Sequence, residues 1–357
     1  MKVREAITRM GTYDPPLSAR TGGDQVLLDF NESTVPPAPE VIQAMVEWLQ
    51  KGSVKEYPRG YEVLEEKLAA YSGVRAEQVM LTNGSDQALE VVLRALLDAG
   101  DEMVFTRPGF AMIPHIAETI GAVTVYTDYP EDMTFPLEAV LAAVTPRTRL
   151  IVLISPNNPT GTPVAQSEVV RVLEAFPQVP VLVDEAYFEF TGNTAAGLID
   201  KYDNLVVTRT FSKAFALAGL RLGYVLSGGE FIRELHKVRG PFDVNMMAVV
   251  GATALLENQD GVRAYVSEVM ERAKPMVERF FDQEGVTYFK GAANFMLVRT
   301  GNVEQATTFL REHSILVRPQ KLPIADCFRL SVGREVEMQR FVEVYRAYLS
   351  TVGNGGR

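Results

Sequence analysis

Between about Gln78 and Leu226 the chain alternates short β-branched runs with longer stretches whose apolar residues recur at helical spacing. The runs 79–82, 102–106, 123–127, 150–155, 181–184, 205–208 and 222–226 are expected strands, and 86–97 and 167–175 are expected amphipathic helices. Strands that alternate with helices pack into a largely parallel sheet with both faces covered. In such sheets ligands gather at the carboxyl ends of the strands. Asn83-Gly84-Ser85, Asn157-Asn158, Asp184 and Thr210–Lys213 all fall just beyond strand ends.

After about Gly261 the rhythm changes. A helical stretch over 262–283 leads to strands near 286–289, 295–299, 315–318 and 328–332, with helices over 303–312 and 335–349. This reads as a smaller α+β domain. The first thirty or so residues, with Pro15-Pro16 and Gly22-Gly23, lack periodicity and read as an arm. The expected division is an arm over 1–34 that packs with the small domain, a large domain over 35–260 and a small domain over 261–357. The tail 352–357 is expected to fray.

Composition narrows the function classes. A chain of 357 residues exceeds what one core usually supports, and 47% apolar with 22% charged residues is an ordinary globular profile. A net charge of −10 argues against a nucleic-acid-binding surface. The single cysteine, Cys327, excludes an internal disulfide framework, fits a reducing compartment and lies in an apolar run that suggests a buried structural thiol. No run approaches the roughly 18 apolar residues of a membrane span. The first residues, Met1-Lys2-Val3-Arg4-Glu5, lack the apolar stretch of a signal peptide, so a cytoplasmic location is expected. His115, His236 and His313 are scattered without metal-ligand spacing.

Candidate chemistry centres on Thr210-Phe211-Ser212-Lys213, with Arg221 eight positions beyond the lysine. A lysine amine can form a Schiff base with a phosphorylated aldehyde while Thr210, Ser212 and Arg221 grip its phosphate. Pyridoxal phosphate is such a ligand, and its enzymes place an acidic partner on the pyridine nitrogen. Alone, the phrase reads as a solvated surface lysine, which is what most lysines are. Four other segments match the same ligand. Asn83-Gly84-Ser85-Asp86 offers free N–H groups at a helix start, a phosphate cradle, although taken alone Ser85 or Asp86 reads first as a helix cap. Asp184 can face the pyridine nitrogen and Tyr187 the ring oxygen. The Asp184-Glu185 pair also resembles a metal site or an NTPase element, but no GxxxxGK[ST] loop accompanies it. Asn158, in a turn-prone segment, can reach the same ring oxygen, and Phe110 can stack on the ring or sit in the core.

The segments NGSD (83–86), SPNNPTG (155–161), DEAYFEF (184–190) and TFSKAFALAGLRLGY (210–224) resemble fold-type I pyridoxal-phosphate aminotransferases, the histidinol-phosphate aminotransferase family in particular. Tyr57-Pro58, GPFDVN (240–245), Ala293-Asn294-Phe295 and FRLSVG (328–333) follow in the family's order. The resemblance implies a mostly parallel seven-stranded sheet in the large domain plus a smaller α+β domain. Lys213 resembles the Schiff-base lysine, Asp184 the pyridine partner, Asn158 and Tyr187 the ring-oxygen pair, and Phe110 the stacking ring. Gly84, Ser85, Thr210, Ser212 and Arg221 match the phosphate cup. Tyr57 resembles a tyrosine that crosses a homodimer interface to the neighbouring cofactor, Arg329 an arginine that receives the substrate's anionic end, and Tyr13 a substrate-side aromatic. The implied partners are a small amino donor and a 2-oxo acid acceptor.

The chain departs from the family at Asn31-Glu32-Ser33-Thr34, where Asn-Glu-Asn-Pro is common, at Arg59, commonly acidic, and at Phe110, often tyrosine. These positions leave the amino donor open. Histidinol phosphate, an aromatic amino acid, or decarboxylation of a threonine-phosphate-like substrate are the alternatives. A cofactor-sensing transcription regulator would need a DNA-binding domain, for which the residues before Asn31 leave no room.

Overall fold

The apolar alternation resolves into two sheets. The computed structural model describes residues 1–13, 15 and 17–353; Pro16 of the arm and residues 354–357 of the expected frayed tail lie outside the described residues. In chain order the strands are β1 (Val26–Leu28), β2 (Val79–Thr82), β3 (Glu102–Arg107), β4 (Val123–Asp128), β5 (Thr148–Ile154), β6 (Val181–Asp184), β7 (Leu205–Thr210), β8 (Gly223–Ser227), β9 (Tyr288–Phe289), β10 (Phe295–Arg299), β11 (Ile315–Pro319) and β12 (Cys327–Ser331).

The larger sheet has seven strands in the order β2-β8-β7-β6-β5-β3-β4, and only β8 runs antiparallel to its neighbours. Strand side chains alternate between faces, and here each face has its own core. Ile151 and Leu153 of β5 join one cluster, with Val181, Val183 and Leu205; Leu150, Val152 and Ile154 join the other, with Phe105, Leu182 and Val206. Burial on both faces is why these strands read as unbroken apolar runs. Each such aliphatic side chain contributes roughly 2 kcal/mol.

The second sheet has the order β1-β11-β12-β10-β9 and rests on a third core that includes Phe281, Phe295, Phe328, Phe341 and Tyr345. Ala186, Tyr187 and Ala214 belong to this same cluster, so the loops after β6 and β7 pack against the second sheet's core. Cys327 is fully buried, as expected, and burial pushes its thiol up to about 12.

Two expectations are corrected. The first thirty residues are more than an aperiodic arm: β1 pairs in parallel with β11, Val26 opposite Ile315. Three residues carry too little alternation to announce a strand, and its partner lies far away in the sequence. The stretch 262–283 is not one regular helix either. Helices Asp260–Ser267 and Lys274–Glu284 flank a π-helical turn, Glu268–Ala273. Pro275 cannot donate to the preceding turn, which favours the wider winding. The turn precedes Lys274, which lies buried and donates to the carbonyls of Gly291 (2.9 Å) and Ala293 (2.8 Å).

Candidate active site

The carboxyl ends of β2, β3, β5, β6 and β7 open on one side of the large sheet, and the segments singled out from sequence lie there. At the end of β6, Asp184 is buried and accepts one hydrogen bond, from Thr208 Oγ1 at 2.9 Å. Burial, opposed by that bond and reinforced by Asp86 and Glu185, pushes its carboxyl up to about 7. Glu185 takes the opposite face and pairs with Arg209 at 2.9 Å, both side chains fully buried. The two carboxylates therefore do not converge on one cation, which removes the metal-site and NTPase readings.

Beyond β7, Lys213 is half-buried, and its Nζ donates to the carbonyl of Phe30 at 2.8 Å. Burial first, then the charge of Arg329, bring the amine down to about 8; Glu32 and Asp86 oppose this and Arg221 adds a smaller push. The surface-lysine reading fails.

The phosphate-cup candidates divide. Arg221 sits in the left-handed region at φ 53°; its Nη1 donates to Ser212 Oγ (3.2 Å) and its Nη2 to Asp86 (3.0 Å). A Cβ on Gly84 would come within 2.5 Å of that Nη2, so only glycine lets the guanidinium lie over the helix start. Helix Gly84–Leu96, with Ser85 in its first turn, has no side-chain cap. The capping role for Ser85 or Asp86 is not realised. Thr210 acts one step back, its buried Oγ1 accepting from the Ser212 N–H at 3.1 Å.

On the opposite side, Tyr187 is buried, and its phenol oxygen accepts from Asn158 Nδ2 (3.3 Å) and Asn31 Nδ2 (3.1 Å). Arg329 donates to Asn158 Oδ1 (2.5 Å) and to the carbonyl of Asp29 (2.6 Å). Phe110 is half-buried against the core containing Phe105 and Ile113. Tyr13, partly exposed, stands 6.1 Å from the His115 ring and bears on Arg318 and Arg329 electrostatically. Tyr57 is 76% exposed and stacks on Phe242 with centroids 4.5 Å apart, without a hydrogen bond to the cup.

Sequence reasoning missed several neighbours. Asn157 is buried and ties its turn to the Pro108 carbonyl (3.0 Å) and to Thr160 (2.9 Å). Arg318 lies directly opposite Arg329 in the β11–β12 register, so both side chains leave the same face. Its guanidinium sits over Phe30 at 5.1 Å, with Nη1 buried and without a partner among the described residues. The signal for Asn31 was its place after the apolar run Val26–Leu28; for Arg318 it was the hairpin register, invisible without pairing.

A phosphorylated pyridine aldehyde fits these residues. The helix start under Arg221 suits the phosphate, the poorly compensated buried Asp184 suits a protonated ring nitrogen, and Lys213 suits the carbonyl carbon.

Residues 23–344 match the family described as aminotransferase class I and II. The chain is 34% identical over 331 residues to the histidinol-phosphate aminotransferase of Akkermansia muciniphila, covering 91% of this chain and 90% of that one. It is 31% identical to a dihydroxyacetone phosphate transaminase of Campylobacter jejuni, with 91% and 90% covered. The solved histidinol-phosphate aminotransferase of Sinorhizobium meliloti, in complex with pyridoxal-5′-phosphate, superposes with a TM-score of 0.86 at 26% identity, covering 97% of this chain and 98% of that one. The chain belongs to the class I and II aminotransferases, a transaminase of fold type I that works with pyridoxal phosphate.

Proposed function

We propose that this transaminase moves the amino group of histidinol phosphate to 2-oxoglutarate, giving imidazole-acetol phosphate and glutamate. The observation that carries the choice of donor is the Arg318–Arg329 pair, two guanidiniums on one face with no carboxylate among the described residues bonded to either. One carboxylate needs one guanidinium; a phosphate monoester dianion suits two. The relatives named above for histidinol phosphate and dihydroxyacetone phosphate also carry phosphorylated substrates in their names.

When bound, pyridoxal phosphate supplies the carbonyl that takes up the donor nitrogen and the electron sink that acidifies its Cα. Gly84, Ser85, Ser212 and Arg221 hold the phosphate, with Thr210 fixing Ser212. Asp184 keeps the pyridine nitrogen protonated. Tyr187 and Asn158 hold the ring oxygen, and Phe110 covers a ring face. Lys213 would anchor the carbonyl carbon and, as a free amine, take the proton from the donor's Cα; an amine near 8 keeps an appreciable neutral minority at physiological pH, where an ordinary lysine has almost none. Arg329 and Arg318 hold the far anion, with Tyr13 beside them.

The same reading includes the division into arm (1–34), large domain (35–260) and small domain (261–357), supported by the two sheets with separate cores. It includes a homodimer in which Tyr57 serves the neighbouring site, supported by the exposed apolar residues around it. A cytoplasmic setting is supported by the one free, buried cysteine, and among the described residues no helix is long and apolar enough to cross a membrane.

A donor panel with 2-oxoglutarate tests the reading: histidinol phosphate, phenylalanine and O-phosphothreonine, followed by glutamate formation and carbon dioxide release. Histidinol phosphate should give the highest kcat/KM. Arg318→Ala should lower that value by about 10- to 100-fold, as expected for a lost charged hydrogen bond, and leave phenylalanine turnover almost unchanged. A preference for phenylalanine, or release of carbon dioxide without a 2-oxo acid, would overturn it.

A further inference from the structure

We propose that Asn31 is a positioning residue for catalysis, which keeps the Tyr187 hydroxyl proton aimed at the cofactor's ring oxygen. The inference rests on the role given above to Tyr187 and adds a residue that acts through it.

The hydrogen-bond network settles which way each amide points. Asn31 N–H donates to Ser331 Oγ at 2.9 Å, and Ser331 Oγ in turn donates to Asn31 Oδ1 at 2.8 Å. With the hydroxyl proton given to Oδ1, Nδ2 of Asn31 lies toward the phenol oxygen, 3.1 Å away. Asn158 is oriented in the same manner, because Arg329 has only donors to offer and takes its Oδ1 at 2.5 Å, leaving Nδ2 for the phenol at 3.3 Å.

Two N–H donors thus converge on one buried phenol oxygen. They occupy its acceptor positions, and neither amide presents an oxygen that could capture the phenolic proton. That proton must be donated outward. A phenol that accepts hydrogen bonds is also a stronger donor, since each bond polarises the next. Asn31 opposes the rise in the Tyr187 pKa that burial causes, and Arg329 does so more strongly. The charged groups around the phenol, Arg329, Asp184 and Lys213, are all unchanged by Asn31→Gly, which adds no charge of its own.

The backbone explains why the position takes asparagine. Its φ is 57°, a left-handed conformation that asparagine, aspartate and glycine tolerate and β-branched residues do not. Its carbonyl accepts from the buried Asn294 at 3.2 Å, so the residue is fixed from three sides. Glycine keeps this backbone and deletes the amide. Aspartate keeps the shape and the Ser331 contact but puts an acceptor where the donor was, which would draw the phenolic proton toward residue 31.

The test is a double-mutant cycle on the holoenzyme with Asn31→Gly, Asn31→Asp, Tyr187→Phe and Asn31→Gly/Tyr187→Phe. The readouts are kcat and the pH midpoint of the cofactor's visible absorbance. A donor on the ring oxygen drains negative charge from the chromophore, so weakening it raises the midpoint. Tyr187→Phe should raise it most. Asn31→Gly should raise it less, with kcat reduced about fivefold, the rate equivalent of one neutral hydrogen bond. Asn31→Asp should exceed Asn31→Gly in both. In the Tyr187→Phe background Asn31→Gly should add nothing. If Tyr187→Phe leaves the midpoint in place, the assignment of Tyr187 itself fails. If Tyr187→Phe shifts it but Asn31→Gly does not, or the two shifts add, Asn31 acts only as a structural residue and the inference is overturned.

Discussion

Lys213 owes its acidity to burial and to Arg329, a residue on the small sheet that no local reading of TFSK would supply. The sign of the consequence follows directly. The lysine must be neutral to accept a proton, and its folded value near 8 lies below the ordinary lysine value, so kcat should rise with pH through a midpoint near 8. A pH-rate profile measured at saturating donor checks it; a profile flat from pH 6 to about 9 would contradict the lysine as base. Lys213→Ala should abolish the visible absorbance of lysine-anchored cofactor and lower turnover by at least roughly a thousandfold. Lys213, Asp184 and Tyr187 were legible as candidates because each lies in a contiguous phrase whose residue types already suit the ligand. Asn31 and Arg318 were not, because their meaning comes from a partner across the fold: Tyr187 for one, the Arg329 register for the other.

At the scale of elements, β2, β6 and β10 fall where the apolar pattern places them, and other strands shift by a residue or two. Strands buried on both faces announce themselves by composition alone. β1 does not, since its three residues are held by β11, and neither does the π-helical turn before Pro275. Another feature hidden from the pattern is the contact between Gly161, after the Asn157-Asn158 turn, and Gly291, before β10. Each has a positive φ, 75° and 52°, and a Cβ on Gly161 would stand 2.8 Å from the Cα of Gly291. Ala292 N–H donates to the Gly161 carbonyl at 2.7 Å in the same crossing. Gly161→Ala should therefore cost about 2 kcal/mol or more in stability and reduce kcat, because the displaced turn carries Asn158. Gly197→Ala, with open space around it and no left-handed backbone, is the control and should be nearly neutral in the same denaturation series.

For the whole molecule, the decisive surface is the outer face of helix Pro39–Gln50. Ile42, Val46 and Leu49 recur at helical spacing, each 38–44% exposed, and Val54, Tyr57 and Phe242 extend the apolar area. A contiguous apolar face of this kind marks an interface, and a second copy of the chain is the occupant proposed above. Sedimentation should show a dimer for the native chain and a monomer for Val46→Glu/Leu49→Lys. Mixing Tyr57→Ala with Lys213→Ala protein should restore activity absent from each variant alone. Failure of the mixture to regain activity, with mixed dimers present, would place Tyr57 outside its neighbour's site.

Asp29, Phe30 and Asn31, three successive residues, meet Arg329, Lys213 and Tyr187, and Asn31 also bonds Ser331, 300 positions later. In time rather than space, this inverts the order of synthesis. The arm leaves the ribosome well before β12 exists to receive it, so the segment made early is among the last to find its place. A nascent chain stopped short of Ser331 carries Lys213, Asp184 and the whole cup, yet lacks the strand that fixes the arm over them. The full set of arm contacts, Asp29 to Arg329 and Asn31 to Ser331 included, is therefore completed only once translation has passed β12.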